Sequence, residues 1–212
     1  MDPLGRLIAE IEAEARVTGN HTGRPVLSPR VLAAMRQVRR EAFMPPSVRA
    51  AAHDNLPQSI GHGQTISQPF IVALMTDLLD LEPQHSVLEI GTGSGYQAAV
   101  LAALARQVWT VEAIAELARQ AREALAVEAI GNVEVRTGDG AQGWPEHAPY
   151  DAVIVTAAAR AVPPALIDQL RSPGRLVIPV GPPHGAHELM LIEKGSDGGT
   201  RTRSLLDVAF VP

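Results

Sequence analysis

The chain contains no cysteine, which excludes disulfides and thiolate metal sites. No segment is long and apolar enough to span a membrane. The opening Met1-Asp-Pro-Leu-Gly-Arg6 lacks the apolar core of a signal peptide. A soluble, cytoplasmic protein without a membrane partner is the expectation. No run of Lys or Arg occurs, and the net charge of −5 with a pI near 5.8 argues against nucleic acid as a partner. Internal repeats and low-complexity segments are also lacking. The seven histidines are scattered. His184 and His187 are three apart among Gly and Pro and read as surface loop residues, so no metal site is expected. A length of 212 residues suits one domain with a sizeable core, and a monomer is expected.

Hydrophobic spacing divides the chain into two textures. Leu7, Ile8, Ile11 and Ala15 predict a helix over 4–17. Ser28 and Pro29 open a second helix that runs to about Arg40, and Met44-Pro-Pro46 stops it. Residues 50–67 show little periodicity and contain Gly61 and Gly63. Ile71, Leu74, Met75, Leu78 and Leu79 then form one face of a helix over 68–81. After Pro83, strands and helices alternate. Strands are expected at Val87–Ile90, Val108–Val111, Val133–Val135, Asp151–Val155 and Leu176–Val180. Helices are expected over 96–106, from Ile114 to near Gly131, and over 163–170. Leu189–Ile192 and Leu205–Val211, separated by a Gly-rich turn, predict an antiparallel hairpin at a sheet edge. The fold class is α/β: a doubly wound, Rossmann-like sheet, preceded by an N-terminal helical cap (1–82) and comprising 83–212.

The densest signal is Val87-Leu-Glu-Ile-Gly-Thr-Gly-Ser-Gly-Tyr96, a buried strand turning through glycines into a helix. The next strand ends at Glu112, about twenty residues past Gly91. Glycines allow a sharp turn and close approach to a ligand, and a carboxylate at that strand end suits two ribose hydroxyls. This order builds a nucleotide or nucleoside site at the carboxyl ends of parallel strands. Counted from Gly91, the third glycine of the dinucleotide fingerprint is replaced by Tyr96. Gly93-x-Gly95-x-x-Ala98 fits a looser register, which leaves a nicotinamide-dependent oxidoreductase open at this point. The tight Gly91-x-Gly93-x-Gly95 spacing after Glu89 resembles instead the first motif of S-adenosylmethionine (AdoMet) methyltransferases.

The aperiodic segment carries a second pattern, Gly61-His-Gly-Gln-Thr-Ile-Ser-Gln-Pro69. With the AdoMet motif, Gly138-Asp-Gly140, Tyr150-Asp-Ala-Val-Ile-Val-Thr-Ala157, Leu176-Val-Ile-Pro-Val-Gly181 and Asp207-Val-Ala-Phe-Val-Pro212, it resembles the protein-L-isoaspartate O-methyltransferase family from about Asp54 onward. The resemblance implies methyl transfer from AdoMet to the α-carboxylate of isoaspartyl residues in damaged proteins and peptides, which closes to a succinimide and so begins repair. A related carboxyl methyltransferase acting on aspartate of a specific peptide would share the loop. By the same resemblance, Ser67 is the active-site serine, placing the substrate carboxylate beside the methyl group. Its position before Gln68-Pro69 also suits a helix N-cap. Gln64, Thr65 and Ile66 are expected on the substrate side. Glu89, Gly91, Gly93, Glu112, Asp139 and Gly140 are expected around the cofactor, with Glu112 on the ribose, Asp139 and Gly140 near the adenine, and Glu89 orienting the loop or meeting the AdoMet amino group through water. The chain departs from the common pattern at Ala52, where an aromatic residue is frequent, and at Ala209, where Arg is frequent.

Overall fold

The computed structural model describes residues 2–182 and 185–211, so His184 lies outside the described residues. Helix α1 spans Pro3–Thr22, longer than its apolar spacing predicts. Asp2 starts it by accepting from Gly5 N, and Gly23, with φ of 72°, ends it. Helix α2 (Pro29–Gln37) starts at Ser28, whose side chain accepts from Arg30 N. The aperiodic segment holds strands β1 (Gln58–Gly61) and β2 (Gln64–Ile66), paired antiparallel as a separate small hairpin. Helix α3 (Pro69–Leu78) follows directly.

The α/β part contains β3 (Ser86–Ile90), α4 (Tyr96–Ala102), β4 (Gln107–Glu112), α5 (Ala115–Val127), β5 (Val133–Thr137), β6 (Tyr150–Val155), α6 (Pro164–Asp168), β7 (Leu170–Val180), β8 (His187–Lys194) and β9 (Thr200–Val208). These strands form one seven-stranded sheet in the order β5-β4-β3-β6-β7-β8-β9. The pairs from β5 through β7 are parallel, whereas β8 pairs antiparallel with both neighbours. The expected edge hairpin is therefore present. The chain leaves β3 toward β4 and β5, then crosses back to β6 on the other side of β3. That reversal opens a crevice at the carboxyl ends of β3, β4 and β6.

The two sheet faces are covered unequally. Apolar residues of α1, α2, α3, α4 and α5 share one continuous core with Val87, Val108, Ala152, Ile154 and Val177. The other face packs Leu88, Trp109, Val111, Val153, Leu176 and Ile178 under little regular structure, chiefly Leu166 of the short α6 and Trp144. The His147 ring stacks on Trp109 with centroids 3.4 Å apart. A 3₁₀ turn at Pro145–His147 thus takes the place of a longer crossover helix between β5 and β6.

The structure corrects one histidine assignment. His187 begins β8 and is 1% exposed, so it is a core residue and not a surface one. Its Nδ1 accepts from Phe210 N at 3.4 Å. No helix among the described residues is long and apolar enough to cross a membrane, and no group of three or more potential metal ligands occurs among them.

Candidate active site

The crevice contains a cavity of about 390 Å³. Its walls come from the hairpin (Gln64, Thr65, Ile66, Ser67), the turn after β3 (Gly91, Thr92, Gly93, Ser94) and the end of β4 (Glu112, Ala113, Ile114). Gly140 and Ala141 after β5, the segment 156–161 after β6, and Val211 complete it. Residues separated by more than a hundred positions thus converge where the chain reverses across β3.

The turn after β3 is built to approach its surroundings closely. Gly91 has φ of +95°, and a Cβ there would lie 2.8 Å from Thr156 Oγ1. The Thr156 hydroxyl lies 2.6 Å from Gly91 O, to which it donates. Two strand ends are therefore locked together through a glycine that no other residue could replace without strain. Gly93 has φ of +52°, and a Cβ there would stand 3.6 Å from Ile60 Cδ1. The hairpin thus closes over the glycine turn from above.

Glu112 ends β4 and is 6% exposed. Its Oε2 accepts from Gly93 N at 2.8 Å and its Oε1 from Ile114 N at 2.9 Å. Each oxygen keeps a further lone pair. The carboxylate therefore does two jobs: it fixes the glycine turn and it presents acceptors to the cavity it lines. Among the described lining residues only Glu112 and Arg160 carry charge, and Arg160 is exposed.

Glu89 stands apart from the cavity lining. It is 0% exposed, and neither carboxylate oxygen has a hydrogen-bond partner among the described residues. Burial pushes its carboxyl up to about 8; the nearby Thr110 hydroxyl opposes the rise and the Glu112 charge adds to it. The Thr110 hydroxyl is itself 2.7 Å from Thr92 Oγ1. Asp139 also lies outside the lining. It is exposed, and its Oδ1 accepts from Ala141 N at 2.9 Å, which shapes the turn that brings Gly140 and Ala141 to the cavity.

Ser67 lines this cavity and also an adjoining groove bounded by Glu14, Gln68, Phe70 and the segment 206–211. It is not the N-cap of α3: that position is Gln68, which makes no side-chain cap bond. Asn55 supplies the cap, accepting from Phe70 N at 2.9 Å. The reason is the turn of the chain: Ser67 is still extending from β2, one residue too early for its hydroxyl to reach the first helical amides. Asn55, Glu14 and Arg40, which shape this corner, carry no local sequence signal. Each acts on a segment distant along the chain.

The residues present fit AdoMet. A turn that lacks a Cβ at Gly91 and Gly93, a carboxylate with spare acceptors at the end of β4, and apolar walls from Ile90, Val111, Ile114 and Leu166 match an amino acid, a ribose and a purine. The chain matches the profile of the family described as Protein-L-isoaspartate(D-aspartate) O-methyltransferase over residues 13–212. The chain belongs to this family. Protein-L-isoaspartate O-methyltransferase 2 of Polaromonas sp. is 56% identical over 206 residues, covering 97% of this chain and 98% of that protein. Its namesake from Syntrophobacter fumaroxidans is 53% identical, covering 100% of this chain and 87% of that protein. A solved protein-L-isoaspartate O-methyltransferase superposes with a TM-score of 0.80 at 25% identity, covering 96% of this chain and 65% of that one. A Plasmodium falciparum structure described as a putative member of the family, in complex with S-adenosyl-L-homocysteine, has the same fold, with a TM-score of 0.80 at 23% identity. The protein is an AdoMet-dependent methyltransferase of the isoaspartate-repair family, and the nicotinamide register is set aside.

Proposed function

We propose that Ser67 holds the α-carboxylate of an isoaspartyl residue at the junction of the cavity and the groove, facing AdoMet bound across β3 and β4. The observation that carries this reading is the double placement of Ser67, which lines both spaces at once. Thr65 and Thr156 share this double placement and flank Ser67 at the junction. When bound, AdoMet supplies an electrophilic methyl group on sulfur. The carboxylate nucleophile is ionised near neutral pH, so a general base is not required. What remains for the chain is alignment and exclusion of water. Glu112 takes the ribose hydroxyls, Gly91 and Gly93 give room for the amino-acid part, and Gly140 with Ala141 borders the adenine. Gln64, Thr65 and Ile66 close the substrate side, and Glu89 supports the turn from beneath.

The deciding assay is methyl transfer from labelled AdoMet to an isoaspartyl peptide and to its aspartyl twin. Labelling of the first alone supports the reading. Equal labelling of both assigns the chain to a broader carboxyl methyltransferase activity. We further propose one monomeric domain, since residues of 1–82 and of the sheet share one core, and light scattering tests this. The cytoplasm is the proposed location, and the charge of −5 supports the absence of a nucleic-acid partner.

A further inference from the structure

Arg40 lies outside every motif and is 3% exposed. Its Nη1 donates to Ala52 O at 3.0 Å and, at 3.5 Å, to Asp54 O. Its Nη2 donates to Leu56 O and to Ser67 O, both at 3.1 Å. Leu56 stands two residues before β1, and Ser67 directly follows β2. One nitrogen atom therefore ties together the two ends of the hairpin that roofs the cavity. This is the one hydrogen bond to Ser67 among the described residues.

The arrangement is expensive for a merely structural device. No carboxylate lies within ion-pair distance of Arg40 among the described residues, and its Nε has no hydrogen-bond partner. Burial lowers its pKa, with Tyr96 and Asp54 opposing. A buried cation whose hydrogen bonds all go to backbone carbonyls, with no carboxylate in ion-pair contact, costs stability that a neutral, well-packed side chain would not. Its planar fork does what a neutral residue cannot: it reaches carbonyls on two separate segments and holds them at fixed spacing.

We propose that Arg40 is a positioning residue for methyl transfer, pinning the base of the hairpin so that Ser67 stays fixed while the rest of the hairpin moves. This rests on the reading of Ser67 given above. The cofactor side is formed by β3, β4 and the turn after β5, which no hydrogen bond of Arg40 reaches among the described residues. Lysine keeps the charge but offers a single nitrogen, which cannot serve the Ala52 and Asp54 carbonyls and the Leu56 and Ser67 carbonyls together, as Nη1 and Nη2 do.

The test compares Arg40→Lys, Arg40→Ala and Ser67→Ala, singly and as Arg40→Lys/Ser67→Ala, in the full chain well below each melting temperature. Expected is unchanged affinity for S-adenosylhomocysteine with kcat for an isoaspartyl peptide lowered on the order of 100-fold, the scale of a small misplacement at the reacting centre. Guanidinium ion at low concentration is expected to restore part of the rate of Arg40→Ala, a sign opposite to its denaturing effect. In the Ser67→Ala background, Arg40→Lys should cost little more. Wild-type kcat in folded Arg40→Lys overturns the proposal. So does a loss of rate that merely tracks the folded fraction, with no rescue by guanidinium. Fully additive losses overturn the route through Ser67 while leaving the Ser67 reading intact. A fully active Ser67→Ala overturns both together.

Discussion

Asn55 caps the helix that Ser67 precedes: its Oδ1 accepts from Phe70 N at 2.9 Å, while its Nδ2 donates to Glu14 Oε2 at 2.8 Å. One amide side chain thus links α1, the segment before the hairpin and the start of α3. The capping duty that its place in the sequence suggests for Ser67 is carried by a residue twelve positions earlier. Replacing Asn55 by Ala is expected to lower folding stability by about 1 kcal/mol, the usual cost of a lost N-cap. Denaturant titration checks this, and an unchanged midpoint would show that water replaces the cap.

Freed from capping, Ser67 separates stability from chemistry. Ser67→Ala should leave the denaturation midpoint where it is, because its hydroxyl makes no hydrogen bond within the described protein. Methyl transfer to an isoaspartyl peptide should fall while AdoMet still binds. Calorimetry and a radiolabel assay on the same preparation make the comparison. A variant that loses stability and keeps its rate would reverse the assignment.

Glu112 should show the opposite pattern. Glu112→Ala removes the acceptors offered to the ribose and also releases Gly93 N and Ile114 N. Lost hydrogen bonds to a charged group cost about 1.5–3 kcal/mol, or roughly tenfold or more in AdoMet affinity. Isothermal titration of the folded variant measures it, and an affinity equal to wild type would remove Glu112 from the cofactor site.

The hairpin formed by β1 and β2 packs on the glycine turn through Ile60 but belongs to no larger sheet. Segments that must open for exchange come from the low-stability end of a structure. Amide hydrogen exchange over residues 59–66 is expected to slow when S-adenosylhomocysteine and an isoaspartyl peptide are added. Identical exchange with and without them would argue for a rigid wall.

Glu89 predicts a pH dependence. Its carboxyl, ordinarily titrating near 4.5, is pushed up to about 8 by burial. The folded protein therefore binds this proton more tightly than the unfolded chain does. The stabilising contribution is complete below about pH 4.5 and is lost as the pH rises through about 8. Glu89→Gln is neutral throughout and lacks that loss. In the absence of ligand, its stability relative to wild type should increase between mildly acidic and mildly alkaline pH, by on the order of a few kcal/mol. Parallel denaturation curves for the two proteins across that range would place the charged carboxylate in a better-solvated site.

The sequence by itself determined the α/β alternation, the edge hairpin of β8 and β9, the glycine turn at Gly91 and Gly93, and Glu112 at a strand end. Each is a local matter. Apolar runs announce covered strands, spacing announces helix faces, and a left-handed backbone favours glycine. Tertiary structure alone decided the rest. The hairpin at 58–66 has a three-residue second strand, too short for alternation to show, and turns through Gly61, His62 and Gly63 at positive φ. His187 sits among Gly and Pro yet is buried, because its burial is set by pairing with Val208 in β9. Trp144 and His147 pack against Trp109 of β4 and so help cover one sheet face, a contact that no local pattern announces. Asn55 and Arg40 act on Phe70 and Ser67 through contacts that span 15 and 27 residues. Such contacts leave no periodic trace, since the partners meet only after the core has fixed the segments that carry them.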